Sequence, residues 1–282
     1  MKAISVVREM IRDFGQDNGP LLAASMAYYT LLSIFPMILG LIALAGVFFT
    51  DPATRDRLVR GIASLFPGSE DLILGTIDDV VRGRGPAGMV ATLALIWSAS
   101  GVFSAMSTAL NVIWRVPRQR GAILSGLLAI GLVLAVGIVF LVSLVLSTVL
   151  TVAARLDLPL LGISLGQIPA LLPLLSLAVP LVITFAIFAL IYRVVPNRRL
   201  EWRDVWPGGV LASFLFEVSK QIFVVYLSEF ANLNAVYGSI GTVIALLIWS
   251  YYASFVLLLG AELNAVLWRI SRRNEPKAEA SR

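Results

Sequence analysis

Long apolar runs separated by short polar segments dominate the chain. Six runs fall near residues 20–49, 88–112, 121–153, 168–194, 205–227 and 238–268. A bilayer core about 30 Å thick needs about 20 apolar residues in a helix, so each run predicts one transmembrane helix. We number these predicted helices spans 1 to 6. Span 1 lacks the short apolar region and cleavage site of a signal peptide, so we expect it to remain in the mature protein.

The polar segments differ in kind. Residues 50–87 hold two stretches with apolar positions on one helical stripe, separated by the sequence FPGSE. This pattern predicts two short amphipathic helices on the external membrane surface, either covering the spans or acting as a moving lid. Residues 1–19 form an amino-terminal segment. Residues 270–282 are charged without apolar periodicity, which predicts a disordered tail.

Composition agrees with this pattern. The 282 residues are 59% hydrophobic and 14% charged, against about 45–50% and 25% for an average soluble domain. The sequence therefore predicts an all-α fold, a polytopic membrane bundle of six transmembrane helices over residues 20–269 with the external insertion at 50–87.

The basic residues indicate the orientation of the bundle. The amino terminus and the segment after span 2 carry three Lys or Arg residues each, the segment after span 4 carries four, and the carboxyl terminus carries five. The opposite segments together carry six. The positive-inside rule then places both termini in the cytoplasm. These residues are expected to contact anionic lipids, and no nucleic acid partner is predicted.

Cysteine and histidine are both absent from the chain. Their absence excludes disulfides, thiolate nucleophiles, imidazole bases and the usual zinc ligands, so no metal and no cofactor are expected. The chain also lacks a Walker-type phosphate loop, so transport would depend on a gradient or on another protein.

Span 5 places charges inside an apolar segment, LASFLFEVSKQIFVVYL. Ser213, Glu217, Lys220 and Gln221 share one helical face, and an ionisable residue at the bilayer centre costs at least about 2.5–3.5 kcal/mol. That face is therefore predicted to point toward the bundle interior or a watery cavity. It could form a transport site, or it could be an ion pair that only holds helices together.

Spans 1, 2 and 6 carry further polar positions. Span 2 has a polar edge of Trp97, Ser100, Ser104, Ser107, Asn111 and Arg115, of which Asn111 and Arg115 offer donors for a carboxylate or phosphate. Packing alone would also explain the serines. Span 6 contributes Glu262 and Asn264, and Glu262 could pair with Arg115 or another cytoplasmic arginine. Span 1 adds a weaker row at Ser25, Tyr29 and Ser33.

Several phrases resemble one family. They are AASMAYYTLLSIFP, LNVIWRVP, WPGGVLASFLFEVSK and LNAVYGSIGTVIALLIWSYYASFVLLLGAELNA, and together they are similar to the YihY/virulence factor BrkB family over about residues 10 to 270. The resemblance implies a bacterial inner-membrane protein with six spans. It implies no defined activity.

Members of this family have often carried the name ribonuclease BN. Metal-dependent nucleases gather carboxylates, often with histidine, on a surface that admits RNA. Here the acids in structured cytoplasmic loops are chiefly Glu201 and Asp204, so we interpret that name as a misassignment and expect no enzyme activity.

Three classes of function remain after these exclusions. The polar faces of spans 2, 5 and 6 fit a transporter or flippase for an amphiphilic or anionic envelope substrate, such as a lipid or lipid precursor. A membrane scaffold or assembly factor would use the same charges only to lock the bundle. An interfacial enzyme is a third class, which we do not expect. An oligomer is compatible with each of them.

Overall fold

The computed structural model describes residues 2–48, 101–116, 121, 124–129, 131–132, 135, 139, 171–226 and 240–274. Regular structure in these residues is entirely helical. The main helices are α1 (Lys2–Gln16), α2 (Gly19–Phe48), α3 (Gly101–Ile113), α4 (Leu171–Val194), α5 (Trp202–Val225) and α6 (Ile240–Asn274). The expectation of an all-helical fold is confirmed for this part of the chain.

The helices follow the predicted spans closely. Spans 1, 4, 5 and 6 correspond to α2, α4, α5 and α6, α3 lies in the last half of span 2, and residues 124–129 of span 3 are helical. The external segment 50–87 and most of span 3 lie outside the described residues. Helix α6 continues to Asn274, so it extends into the segment where the sequence predicts a disordered tail.

Two described helices are long and apolar enough to cross a membrane. They cover Trp202–Val225 and Val243–Arg272, while Gly101–Ile113 and Ala178–Val194 are shorter apolar helices. At 1.5 Å per residue, the first measures about 36 Å and the second about 45 Å, both longer than a hydrocarbon core of about 30 Å.

Local signals explain where two helices meet and where one begins. Asn18 has a φ angle of 54°, a left-handed conformation that asparagine tolerates. This conformation interrupts the helical backbone between α1 and α2. At the start of α5 the Glu201 N–H donates to Asp204 Oδ2 at 2.9 Å, which is half of a capping box.

One compact unit contains Met1–Ala23, Ser107–Phe230 and Tyr252–Arg282. Its core is centred on Tyr192, which is fully buried and donates its hydroxyl to the Leu257 carbonyl at 2.7 Å. Phe188 of α4 packs edge-on against Phe216 of α5, with ring centroids 5.7 Å apart. The core thus joins α4, α5 and the last half of α6.

The second unit contains Ala24–Met106 and Ala231–Tyr251. Within it the Tyr29 ring lies over Gly101, where an added Cβ atom would come within 3.2 Å of Tyr29 Cδ1. Ser33 donates its hydroxyl to the Tyr29 carbonyl at 2.6 Å. A small residue on α3 therefore allows an aromatic ring of α2 to approach its backbone.

Candidate functional site

Helix α5 carries an ion pair inside its apolar sequence. Glu217 and Lys220 are paired, and Thr184 of α4 donates its hydroxyl to Glu217 Oε1 at 2.9 Å. The Glu217 side chain is 16% exposed and the Lys220 side chain 39%. Gln221 is exposed, and buried Ser213 bonds the Val210 carbonyl of its own helix at 3.0 Å. We call Ser213, Glu217, Lys220 and Gln221 the α5 polar strip.

The depth of this strip follows from two tryptophans. Trp202 and Trp206 are 56% and 54% exposed, and tryptophan is enriched where a membrane helix meets the headgroups. Glu217 lies about 16 Å along the helix axis beyond Trp206. In a core about 30 Å thick, that distance places the ion pair near the middle.

The strip runs along the border between two faces of α5. On one side, Val205, Gly208, Gly209 and Ala212 are buried. On the other, an exposed apolar row recurs every four residues: Val210, Phe214, Val218 and Ile222 are 49%, 58%, 39% and 64% exposed. A charge exposed to hydrocarbon is costly, so the ion pair needs polar surroundings. The neighbouring exposed row needs apolar surroundings.

A second cluster joins α1, the end of α3 and α6. Arg269 donates to Asp13 Oδ2 and to Glu262 Oε1, both at 2.9 Å, and Arg115 lies 3.6 Å from Asp13 Oδ2. Glu262 is fully buried and the Asp13 side chain is 3% exposed. We call Asp13, Arg115, Glu262 and Arg269 the charge cluster. The partner of Glu262 is thus an arginine of its own helix.

The hydrogen bonding of this region is incomplete. Among the described residues, Glu262 Oε2, Arg269 Nε, Trp114 Nε1 and Asp17 Oδ2 are buried without a hydrogen-bond partner. Burial raises the pKa of the Asp17 carboxyl, although Arg115 and Arg269 act in the opposite direction. Buried polar atoms are normally paired, so these atoms retain capacity for a proton or a further polar group.

Arginines and tryptophans pack together at the same end of this unit. The Arg198 guanidinium lies 3.7 Å from the centre of the Trp268 ring, and Arg272 lies 5.6 Å from it. Arg198 Nη1 is also 3.5 Å from the Trp114 carbonyl oxygen. Burial lowers the pKa of Arg198, and the charge on Arg272 adds to that effect. Stacking of this kind holds a guanidinium against an aromatic face.

Two asparagines bond backbone groups of neighbouring segments. Fully buried Asn264 accepts from the Gly208 N–H at 2.6 Å and donates to the Val205 carbonyl at 3.1 Å, on either side of Pro207. Asn111 accepts from the Asn197 N–H at 2.8 Å, and its Nδ2 is 3.4 Å from Ser107 Oγ. Both amides therefore join segments within the protein.

The remaining predicted positions are dispersed. Ser104 is exposed, and Tyr29 is 39% exposed beside Gly101 in the second unit. Trp97 and Ser100 lie outside the described residues. Arg115, expected to offer donors to an anion, is instead beside Asp13 and has a φ angle of 52° at the end of α3.

Sequence reasoning missed the acids of α1 and the turn that follows it. Asp13 and Asp17 lie outside the six apolar runs, so the pattern of polar residues within the predicted spans does not include them. The available signal was the spacing of Val6, Met10 and Phe14, which predicts an amphipathic helix with Asp13 next to its apolar face.

The acids considered for nuclease chemistry belong to a helix cap. Glu201 and Asp204 bond each other's backbone at the start of α5, and Glu201 is 3.0 Å from Arg203. In the part of the chain that the structure describes, no group of three or more His, Cys, Asp or Glu side chains could hold a metal ion.

Helices of membrane-spanning length with an exposed apolar row, beside a core that contains buried ion pairs, indicate a helical membrane protein in the part of the chain that the structure describes. The sequence profile of the family described as Virulence factor BrkB matches residues 10–282, and the chain belongs to that family.

Curated relatives agree with this assignment. The "Putative ribonuclease-like protein YfkH" of Bacillus subtilis is 30% identical, with 94% of this chain and 95% of that protein covered. A "UPF0761 membrane protein" of Rhodospirillum centenum is also 30% identical, over 96% of this chain and 59% of the longer relative. A "UPF0761 membrane protein" of Vibrio vulnificus is 27% identical, with 94% of this chain and 82% of that protein covered. No solved structure matches the chain.

Proposed function

We propose that this protein is a transporter or flippase for an anionic amphiphile, such as a lipid or lipid precursor of the cell envelope. The polar headgroup would move along the α5 polar strip, and the apolar tails would stay beside the exposed row of Val210, Phe214, Val218 and Ile222. Asn111, Ser107, Glu262 and Asn264 would then support the helices of the same unit.

One observation carries this proposal: a partly exposed ion pair lies at the border of an exposed apolar face, about 16 Å along α5 from the exposed Trp206. A substrate with a charged head and apolar tails needs these two surfaces side by side. A fully enclosed pair would serve stability alone, whereas Lys220 keeps 39% of its side chain exposed. Its ammonium group is suited to a phosphate or carboxylate as a point charge.

Transport can be measured in vesicles that contain the purified protein. A fluorescent phosphatidylglycerol in the inner leaflet is protected from dithionite unless it crosses to the outer leaflet. We expect the protein to accelerate this crossing, and to do so more for phosphatidylglycerol than for phosphatidylcholine. Equal, protein-independent loss of both lipids would contradict a transport function for glycerophospholipids.

We further propose six spans in the bacterial inner membrane with both termini in the cytoplasm. This topology is supported by contacts among four segments rich in basic residues. Asp13 lies beside Arg12, Arg115 and Arg269. Arg198 contacts Trp114 and Trp268. A cysteine at Ser69 should react with an impermeant thiol reagent in intact cells, and one at Gln119 should not. The reverse pattern would refute the topology.

A membrane scaffold is the second candidate, and a specific observation favours it. Asn264, Asn111 and Asp13 use their polar groups on other segments of the protein. Side chains committed to such contacts stabilise a bundle without requiring a substrate. A scaffold predicts that charge substitutions on α5 leave cellular function intact whenever the protein folds.

A nuclease is not proposed, although one relative carries the words ribonuclease-like in its name. Glu201 and Asp204 cap α5, which leaves them poorly placed to gather around a metal. Purified protein with Mg²⁺ or Mn²⁺ should leave tRNA precursors intact. Cleavage that disappears in a Glu201→Gln or Asp204→Asn variant would contradict this expectation.

A further inference from the structure

The surface of helix α1 has three sectors, and the first packs against the rest of the protein. Phe14 is buried with its ring centroid 5.0 Å from that of Phe255, and Asp13 bonds Arg269. Val6 and Met10 lie on the same side and are half-buried. These contacts fix the rotation of α1 about its own axis, so its other sectors have a defined direction.

The second sector is apolar and exposed. Ile4, Val7 and Ile11 are 77%, 49% and 62% exposed. Their spacing of three and four residues puts them on one stripe of the helix. A contiguous apolar surface left open in this way marks a place where another apolar surface binds.

The third sector is basic and runs alongside that stripe. Arg8 and Arg12 follow Ile4 at intervals of four residues, so they form a row next to the apolar one. Both are exposed, and the Arg12 side chain is 61% exposed even though it pairs with Asp13. An apolar stripe flanked by arginines is the composition of helices that lie in the interface of anionic membranes.

The connection to α2 places α1 at the right level for such an interface. Helix α1 ends at Gln16 and α2 begins at Gly19, with left-handed Asn18 between them. A break in the helix at this point lets α1 leave the direction of α2. Since α2 is a 30-residue apolar helix, its first residues mark the edge of the hydrocarbon.

We propose that α1 is an interfacial helix that binds a bilayer of anionic lipids, with Ile4, Val7 and Ile11 among the upper acyl chains and Arg8 and Arg12 at the lipid phosphates. The charge of the basic row favours this occupant over a neutral apolar surface, because each Lys or Arg near an anionic membrane contributes about 1 kcal/mol of attraction. The proposal does not depend on transport activity.

The natural absence of cysteine allows a direct test on the full-length protein. Single variants Ile11→Cys and Gln16→Cys each receive the same fluorescent label; both positions are exposed, but Gln16 lies off the apolar stripe. The proteins are reconstituted into vesicles of phosphatidylglycerol and phosphatidylcholine. Quenching is then measured with doxyl groups on the lipid chains and with aqueous iodide.

We expect lipid-borne quenching to be several-fold stronger at Ile11 than at Gln16, and iodide quenching to be stronger at Gln16. Adding Arg8→Gln, or replacing phosphatidylglycerol by phosphatidylcholine, should weaken lipid-borne quenching at Ile11. A label at Ile4 provides the same comparison if the Ile11 variant folds poorly.

Two outcomes would overturn the proposal. Equal iodide quenching at both positions would show that the apolar stripe faces water. Protection of Ile11 from both quenchers, increasing with the ratio of protein to lipid, would show that a second copy of the chain covers the stripe instead of the bilayer.

Discussion

Asp13 shows how burial decides the contribution of an ion pair. Its carboxylate accepts from Arg12 and from Arg269, in both cases at 2.9 Å. The Arg12 side chain is 61% exposed, whereas that of Arg269 is 15% exposed and also bonds buried Glu262. Two arginines at equal distance from one acid therefore differ in how much water screens them.

This difference predicts unequal costs for two matched variants. Arg12→Gln removes the water-exposed partner of Asp13 while Arg269 stays in place, so the loss should be about 0–1 kcal/mol, the contribution of a solvent-screened pair. Arg269→Gln removes the arginine from fully buried Glu262 and leaves Asp13 with the more exposed Arg12 and Arg115. A buried charge that loses its partner typically costs about 3–5 kcal/mol. Denaturant or thermal unfolding in detergent measures both. Equal stability of the two variants would show that the charge cluster is open to water.

Asp17 predicts a pH dependence of stability. Its folded-state pKa is raised above the ordinary value of 3.8, chiefly by burial, so the folded protein binds this proton more tightly than the unfolded chain. The stabilising contribution is full below the unfolded pKa and is lost as pH rises through the folded pKa. Asp17→Asn should therefore be more stable than the parent protein at neutral pH.

The control for Asp17 is Glu9→Gln, which removes a carboxylate of α1 that lies 3.9 Å from Arg12. Melting temperatures of the three proteins across acidic pH isolate the contribution of Asp17. The gap between the parent and Asp17→Asn should narrow as the pH falls. A gap that does not change with pH would contradict the raised pKa.

At the scale of elements, the contact between α5 and α6 depends on two glycines. A Cβ atom added to Gly260 would lie 2.7 Å from the Gly208 carbonyl oxygen and would also meet the Tyr192 hydroxyl. A Cβ atom added to Gly208 would come within 2.6 Å of Asn264 Cγ. Small residues permit this approach, and the Asn264 side chain then reaches the α5 backbone.

Alanine substitution tests this contact against an internal control. Gly208→Ala and Gly260→Ala should each destabilise the protein by about 1–3 kcal/mol, because neither backbone nor Tyr192 can move away freely. Gly15→Ala in α1 meets nothing within 4 Å and should be neutral or stabilising by up to about 1 kcal/mol. Unfolding of all three variants in the same detergent is the measurement. Equal behaviour of Gly208 and Gly15 would disprove the close packing.

The lengths of the apolar runs predict helices α2, α4, α5 and α6, and most of the predicted helix ends lie within a few residues of the observed ones. The prediction works because insertion in a bilayer demands long apolar runs. It missed α1, whose 15 residues are too short and too charged for that criterion. The sequence also identifies the polar positions of spans 2, 5 and 6. The sequence does not identify the partners of polar residues, since a contact such as that between Asp13 and Arg269 joins residues 256 positions apart.

At the scale of the whole molecule, the two polar regions suggest different tasks. The charge cluster and the Arg198 stack join α1, the end of α3, the segment after α4 and the end of α6. The α5 polar strip lies further along the bundle, where Glu217 accepts a hydrogen bond from Thr184 of α4 and pairs with Lys220 of its own helix. We propose that the first region holds the bundle together and the second meets the substrate.

The rate of phosphatidylglycerol crossing in vesicles with the Glu217→Gln, Lys220→Met double variant tests this division most directly. Removing both charges leaves neither uncompensated, so the double variant should fold better than either single variant. Glu201→Gln with Arg203→Met removes an exposed ion pair from the same helix and serves as the matched control. The account predicts that the double variant at 217 and 220 is folded yet loses the accelerated crossing, while the control retains it. A folded double variant that moves the lipid as fast as the parent protein would contradict the account.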